Sequence, residues 1–207
     1  MFSLCKPAEQ QVLDFIETQT ECDYSYRPFV GATRDDACPA GYVVDRTRIR
    51  LGSGQDTYQV AKTALLDWKH YGFGWLNLYR PAAMCAVGQN VAVVARAVGV
   101  WSTNVCRVVY VIDEAEPIRR SAFAYGTLPG HVESGEERFQ IEWHPDDSVW
   151  FEILAFSRPN HLLVYLAYPY VRRIQKQFGQ DATRAMQAAV NHGLEQGSGP
   201  VANGFSE

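Results

Sequence analysis

Between Tyr125 and Phe139 the chain reads YGTLPGHVESGEERF, which gathers His131, Glu133, Glu136, Glu137 and Arg138 among three glycines and a proline. Turn chemistry that dense shapes a backbone for close approach. His131 precedes Glu137 by six residues, a spacing that lets the two side chains meet across a hairpin connection, with Glu133 and Glu136 also in reach. A histidine beside a carboxylate is the smallest unit of general acid–base chemistry. The plainer reading of His131 is a loop histidine bonded to backbone. The pair is also half of a metal site, but no second histidine lies nearby and His144 falls at the far end of its strand. No metal ligand and no cofactor are therefore assigned.

Glu137 shares a strand face, by period two, with Phe139, Ile141 and Trp143. That apolar face should point inward, which aims a carboxylate at the core, where loss of water raises its pKa unless a cation answers it. Arg158, after the next strand, and Arg172 and Arg173 on a later helix are the candidate partners. The two readings are a structural ion pair at the end of the sheet and a ligand-facing or catalytic carboxylate. Glu152, beside Trp150, Leu154 and Phe156, raises the same choice. Nucleophilic catalysis is poorly supported, because Ser134, Ser157 and Thr127 lack a Gly-x-Ser-x-Gly elbow. Gly52-Ser53-Gly54 lacks the lysine of a phosphate loop and reads as a turn before a helix.

These groups need a scaffold, and composition bounds it. The 207 residues carry 19 Lys and Arg against 23 Asp and Glu, a formal net charge of −4 without a basic block, which argues against nucleic acid as a partner. Apolar residues make up 47% and aromatics 13%, enough large side chains for one domain with a full core. The five cysteines (Cys5, Cys22, Cys38, Cys85 and Cys106) show no CxxC spacing, and no charged N-terminal run leads into an apolar one. Reduced thiols packed in a cytoplasmic protein are the expectation. The longest apolar stretch outside the strands, Leu162 to Val171, is about half of the roughly 20 residues a membrane span needs.

Apolar spacing predicts a helix over Pro7–Gln19 and an irregular arm over Thr20–Ala40. Tyr42–Leu51 alternates as a strand, with Val43, Thr47 and Ile49 on one face. Arg46, Arg48 and Arg50 take the other, a solvated edge or, alternatively, an anion-binding strip. Thr57–Tyr71 is helical, and Trp75–Tyr79 a short strand. Asn90–Val100 and Asn104–Asp113 are strands joined through residues 99–103, and Ser121–Thr127, Glu137–His144 and Ser148–Ser157 complete a meander. Asn160–His192 reads as one long helix kinked at Pro169. Only that helix is long enough to cover the sheet. The fold class expected is α+β: a strongly curved antiparallel sheet of about seven strands wrapped around a long C-terminal helix. That element order resembles the helix-grip fold of START and birch-pollen-allergen-like proteins. Residues 1–40 form the N-terminal helix and arm, 41–192 the helix-grip domain, and 193–207 a flexible tail.

Four blocks, Leu51–Trp75 (LGSGQDTYQVAKTALLDWKHYGFGW), YGTLPGHVESGEERF, Val149–Pro159 (VWFEILAFSRP) and Tyr168–Phe178 (YPYVRRIQKQF), resemble the domain-of-unknown-function family numbered nineteen-ninety, found in bacteria and plants. The resemblance runs from about Tyr26 to Asn191. It implies a single compact domain with these blocks as its functional surface, and it carries no activity.

Trp68, Trp75, Trp101, Trp150, Tyr125, Phe156, Tyr165 and Tyr170 fall on elements that would border a hollow between sheet and helix. Most fill core, and Trp75, Tyr125 and Tyr165 are assigned to a pocket wall. The leading functional reading is a module that binds a small hydrophobic or amphipathic molecule there, with His131, Glu137, Arg158 and Tyr125 orienting its polar end. A cyclase- or hydrolase-like enzyme using Glu137 or His131 is the alternative. A membrane-surface or interaction role for Leu162–Arg173 is the third, disfavoured because the same helix is needed over the sheet.

Overall fold

The computed structural model describes residues 1–79, 85–97 and 99–197. Strand β1 (Phe2–Ser3) and helix α1 (Glu9–Thr18) come first, then a 3-10 turn at Ala32–Asp35, β2 (Val43–Ser53), α2 (Gly54–Leu66) and a second 3-10 turn at Lys69–Tyr71. Strands β3 (Leu76–Tyr79), β4 (Asn90–Ala97), β5 (Val100–Glu114), β6 (Arg119–Thr127), β7 (Glu133–Trp143) and β8 (Ser148–Pro159) follow, and helices α3 (Leu162–Leu166) and α4 (Tyr168–Gly197) close the described chain.

The strands form one eight-stranded antiparallel sheet in the order β2-β8-β7-β6-β5-β4-β3, with β1 added on β5. From β3 to β8 every connection is a meander step, and β2 pairs back onto β8 with Thr47 opposite Ile153. Register shifts between Arg50 and Gly52 and between Val108 and Tyr110 interrupt the ladders, the kind of irregularity at which strands bend. The helix α4 lies across that face against α2, β2 and β8. The architecture is the expected α+β helix grip.

Three boundaries differ from the sequence reading, each for a local reason. The strand expected from Asn104 starts at Val100, paired with Ala97, because Gly99 takes a positive φ of 77° and closes a tighter turn. The strand expected from Glu137 starts at Glu133, because the ladder to β8 continues to the pair Glu133–Pro159. The single helix expected from Asn160 is broken at Ala167, and Pro169 sits in the first turn of α4, where its missing N–H costs nothing. The helix also runs past His192 to Gly197, and residues 198–207 of the expected tail lie outside the described residues.

Period two divides the sheet into two differently furnished faces. On the inner face Val108, Phe123, Phe139, Ile141 and Phe151 pack against Leu65 and Trp68 and against Ala182, Met186 and Val190 of α4. Each such buried large side chain contributes about 1.5–3 kcal/mol of transfer free energy. Gly179 lets α4 approach closely, since a Cβ there would lie 2.7 Å from Thr47 Oγ1. On the outer face α1 buries Val12 and Ile16 against Ala92, Val94 and Val105. The arm after α1 is fastened there too: Thr33 and Tyr26 are buried, and Arg138 bridges Asp36 at 2.8 Å and Glu152 at 2.8 Å.

Candidate functional site

The inner face is filled at one end and hollow at the other. Phenylalanine rings occupy the end beneath α2. Toward the start of α4 the same face carries Ala95, Ser102, Gly135, Ala155 and Ser157, and a cavity of about 280 Å³ remains. Small residues on a concave sheet cannot reach the helix, so the space stays open. Its walls are mostly apolar, with Leu76, Val93, Val100, Ile174 and Phe178 among them, and its polar groups cluster on β7 and its approaches.

Glu137 stands on the β7 floor, as the alternation predicts. It accepts a hydrogen bond from Tyr125 Oη at 2.5 Å, and Tyr125 Oη is 2.5 Å from Tyr71 Oη. No salt bridge reaches it among the described residues. Burial in protein, far more than the nearby carboxylates Glu133 and Asp45, pushes its pKa up to about 7, and the Tyr125 bond only partly opposes this. The expected cation partners are elsewhere. Arg158 lies over the Tyr42 ring at 4.7 Å, and Arg172 forms a two-pronged pair with Asp45 at 2.5 and 2.6 Å.

Glu133, four residues earlier and on the same face, is the second cavity carboxylate. Burial raises it to about 7 as well, opposed by a hydrogen bond from Gln175 Nε2 at 2.5 Å and by the Arg172 charge. Gly135 between them admits no side chain, because a Cβ would lie 1.9 Å from the Phe156 carbonyl oxygen. The floor is therefore backbone flanked by two carboxyl groups, roughly 13 Å apart at their Cα atoms for a regular strand.

His131 lines the cavity at the loop before β7. Its Nδ1 is 2.9 Å from the Glu133 amide nitrogen and 3.0 Å from the Glu133 carbonyl, so the backbone-bonded reading describes it. Burial lowers its pKa to about 4, and the ring is neutral at pH 7. Among the described residues no group of three His, Cys, Asp or Glu could hold a metal ion.

Of the other residues singled out in the sequence, Trp75 and Tyr125 line the cavity, and the Trp75 indole is fixed by donating to Asp181 on α4 at 2.9 Å. The expected positions of Arg158 and Tyr165 are corrected. Arg158, an even-numbered residue of β8, faces outward, and Tyr165 is 70% exposed because α3 is a separate short helix whose outer side meets solvent. Trp150 and Phe156 also face outward, Trp150 beneath Arg48 at 4.6 Å and Phe156 against Tyr26 and Tyr42. Glu152 proves a structural ion-pair partner, held by Arg138 and by Arg46 at 3.3 Å.

Asp45, Tyr71, Glu133 and Gln175 line the cavity without having been assigned to it from the sequence, where Glu133 entered only as a carboxylate within reach of His131. Period two offered a signal for two of them, since Asp45 shares a face with Thr47 and Ile49, and Glu133 with Glu137. Tyr71 follows a backbone reversal, with Trp68 at a φ of 61°, and no periodicity marks it.

Comparison with known proteins places this geometry in a family. A Dictyostelium discoideum protein described as a UPF0548 protein is 34% identical over 207 residues, spanning 92% of this chain and 96% of its own. A UPF0548 protein of Arabidopsis thaliana is 38% identical over 155 residues, spanning 73% of this chain and 75% of its own. A crystal structure of a Thermus thermophilus protein superposes with a TM-score of 0.52 at 12% identity over 75% of this chain and 100% of that one, a likeness of fold. The model of a domain of unknown function, DUF1990, matches residues 26–185, and the chain belongs to that family.

Proposed function

We propose that the protein binds a small hydrophobic or amphipathic molecule in the cavity between the sheet and α4. The observation that carries this reading is the cavity of about 280 Å³, mostly apolar in lining and close to the lower size of ligand pockets, with its polar groups gathered at one wall. Trp75, Tyr125, His131 and Glu137 contact the bound molecule, and Glu133, Tyr71 and Gln175 join them. The five cysteines, scattered and without CxxC spacing, suit a reducing, cytosolic compartment. A ligand present at a hundred times its Kd stabilises the folded state by about 2.7 kcal/mol. For a chain of this size that corresponds to a rise in Tm of roughly 5–10 °C. Thermal melting against a library of lipids and aromatic compounds is the test, and a library without a single shift overturns the reading.

A catalytic reading is favoured by one observation: Glu137, raised to about 7, holds its proton loosely at neutral pH, which suits a general acid or base. Turnover that survives Glu137→Gln in a folded protein removes that reading.

A further inference from the structure

We infer that the ligand of this cavity is a hydrophobic amine, bound as its ammonium ion with the charged nitrogen on Glu137 and the apolar body between the sheet and α4. The inference rests on the ligand-binding reading above and names the chemical class that the same site takes.

Charge and ring placement carry it. Asp45, Glu133 and Glu137 all line the cavity, whereas no Lys or Arg does among the described residues. The Arg172 guanidinium, whose charge acts on Glu133, is engaged by both oxygens of Asp45 and by Gln175. Among the described residues Glu137 thus has no cation acting on it, and Glu133 has only the charge of an Arg172 already paired with Asp45, a costly arrangement for ionised carboxyl groups in a mostly apolar space unless a ligand supplies positive charge. The walls supply what an ammonium ion also favours: the rings of Tyr71, Trp75, Tyr125 and Phe178 border the same space. A carboxylate ligand would meet two like charges there and find no donor stronger than a hydroxyl or amide, so anionic amphiphiles are selected against.

Proton linkage follows. The groups that act on Glu137 are Glu133 on its own strand, Asp45 on β2, and the hydroxyls of Tyr125 on β6 and Tyr71 after α2. Cys106 on β5 feels the Glu137 charge, and His131 on the preceding loop stays neutral. Glu133 in turn is held by Gln175 and Arg172 on α4. Without ligand Glu137 is protonated below about pH 7, and pairing with an ammonium ion requires that proton to leave. Amine affinity therefore falls about tenfold for each pH unit below 7, and the affinity of a neutral analogue stays level.

The test uses the full chain and three probes with one ring system: 2-(1-naphthyl)ethylamine, 2-(1-naphthyl)ethanol and 1-naphthylacetate, titrated by calorimetry at pH 8 and pH 5.5. The expected order at pH 8 is amine over alcohol by tenfold or more, with the carboxylate weakest. Glu137→Gln, which keeps the Tyr125 hydrogen bond and leaves the fold intact by circular dichroism, brings amine and alcohol within about threefold of each other. Equal affinities in the unaltered protein, or preference for the carboxylate, overturn the amine assignment and leave the ligand-binding reading standing. Failure of all three, together with a featureless melting library, overturns both. An amine preference that persists unchanged in Glu137→Gln overturns the role of Glu137.

Discussion

Glu136 and Glu137 are neighbours on β7 that face opposite sides of one sheet, and their surroundings have little in common. Glu136 accepts four hydrogen bonds from the N-terminal arm: from Tyr26 Oη at 2.7 Å, the Gly31 amide at 2.7 Å, the Thr33 amide at 2.9 Å and Thr33 Oγ1 at 2.5 Å. Glu137 accepts a single tyrosine hydrogen bond and otherwise faces a cavity. The outer carboxylate is spent on structure, fastening residues 26–33 to the sheet. The inner one is matched by no positive charge among the described residues. Alternation of a strand converts one Glu-Glu dipeptide into an anchor and a cavity carboxyl group, and only the elements stacked on each face tell them apart.

Substitutions on the two faces should therefore move stability in opposite directions. Glu136→Ala leaves a buried tyrosine hydroxyl, a threonine hydroxyl and two amides without their charged acceptor, and denaturant unfolding should show a loss on the order of 3 kcal/mol or more. A loss under about 1 kcal/mol would mean that the arm is not held through this carboxylate. Glu137→Gln should have the reverse sign. A carboxyl group raised from 4.5 to about 7 by burial keeps its proton in the folded state, so its contribution is complete below pH 4.5 and is lost as pH rises through 7. The variant should gain about 3 kcal/mol over the parent at pH 8 and almost nothing at pH 4.5. Equal stabilities at both pH values would show Glu137 to be well solvated.

The acid side of the profile has a different origin. His70 is fully buried among Trp68, Phe123, Phe139 and Phe151, and its ring nitrogens have no hydrogen-bond partner among the described residues. Burial lowers it to about 3 and His131 to about 4, from a usual 6.5, so the stability these neutral rings provide is lost as pH falls from 6.5. Opposed to Glu133 and Glu137, they place the stability maximum between about pH 4.5 and 6.5. Melting curves across pH 3–9 check this, and a maximum at pH 8 would contradict it. The smallest effect expected is from Gly126→Ala. Its Cβ would lie 1.9 Å from Tyr26 Oη, and shifting that ring off Glu136 should cost about 1–2 kcal/mol.

The sequence carried the sheet well and the hollow poorly. Alternation in Glu137, Phe139, Ile141 and Trp143 is a local property, and the structure keeps that face inward. The long C-terminal helix was legible from its apolar stripe, but its break at Ala167 was not, because α3 continues the same apolar composition while exposing Leu162, Tyr165 and Leu166. Arg158 was offered to Glu137 as the residue just after the next strand, yet β8 continues through Pro159 and the even position of Arg158 sends it to the outer face. Tyr71 and Gln175 reach the cavity through tertiary packing of a turn and a helix, which no period in a single segment encodes. The cavity itself depends on small residues contributed by strands far apart in the chain: Ala95, Ser102, Gly135, Ala155 and Ser157.

Native mass spectrometry of the purified full chain, sprayed from a volatile buffer at pH 7, addresses the cavity most directly. The account predicts a fraction of molecules carrying a noncovalent adduct of a few hundred daltons that is lost on denaturation, or that forms when a hydrophobic amine is added. A spectrum of bare chain alone, unchanged by every added hydrophobic compound, would contradict it.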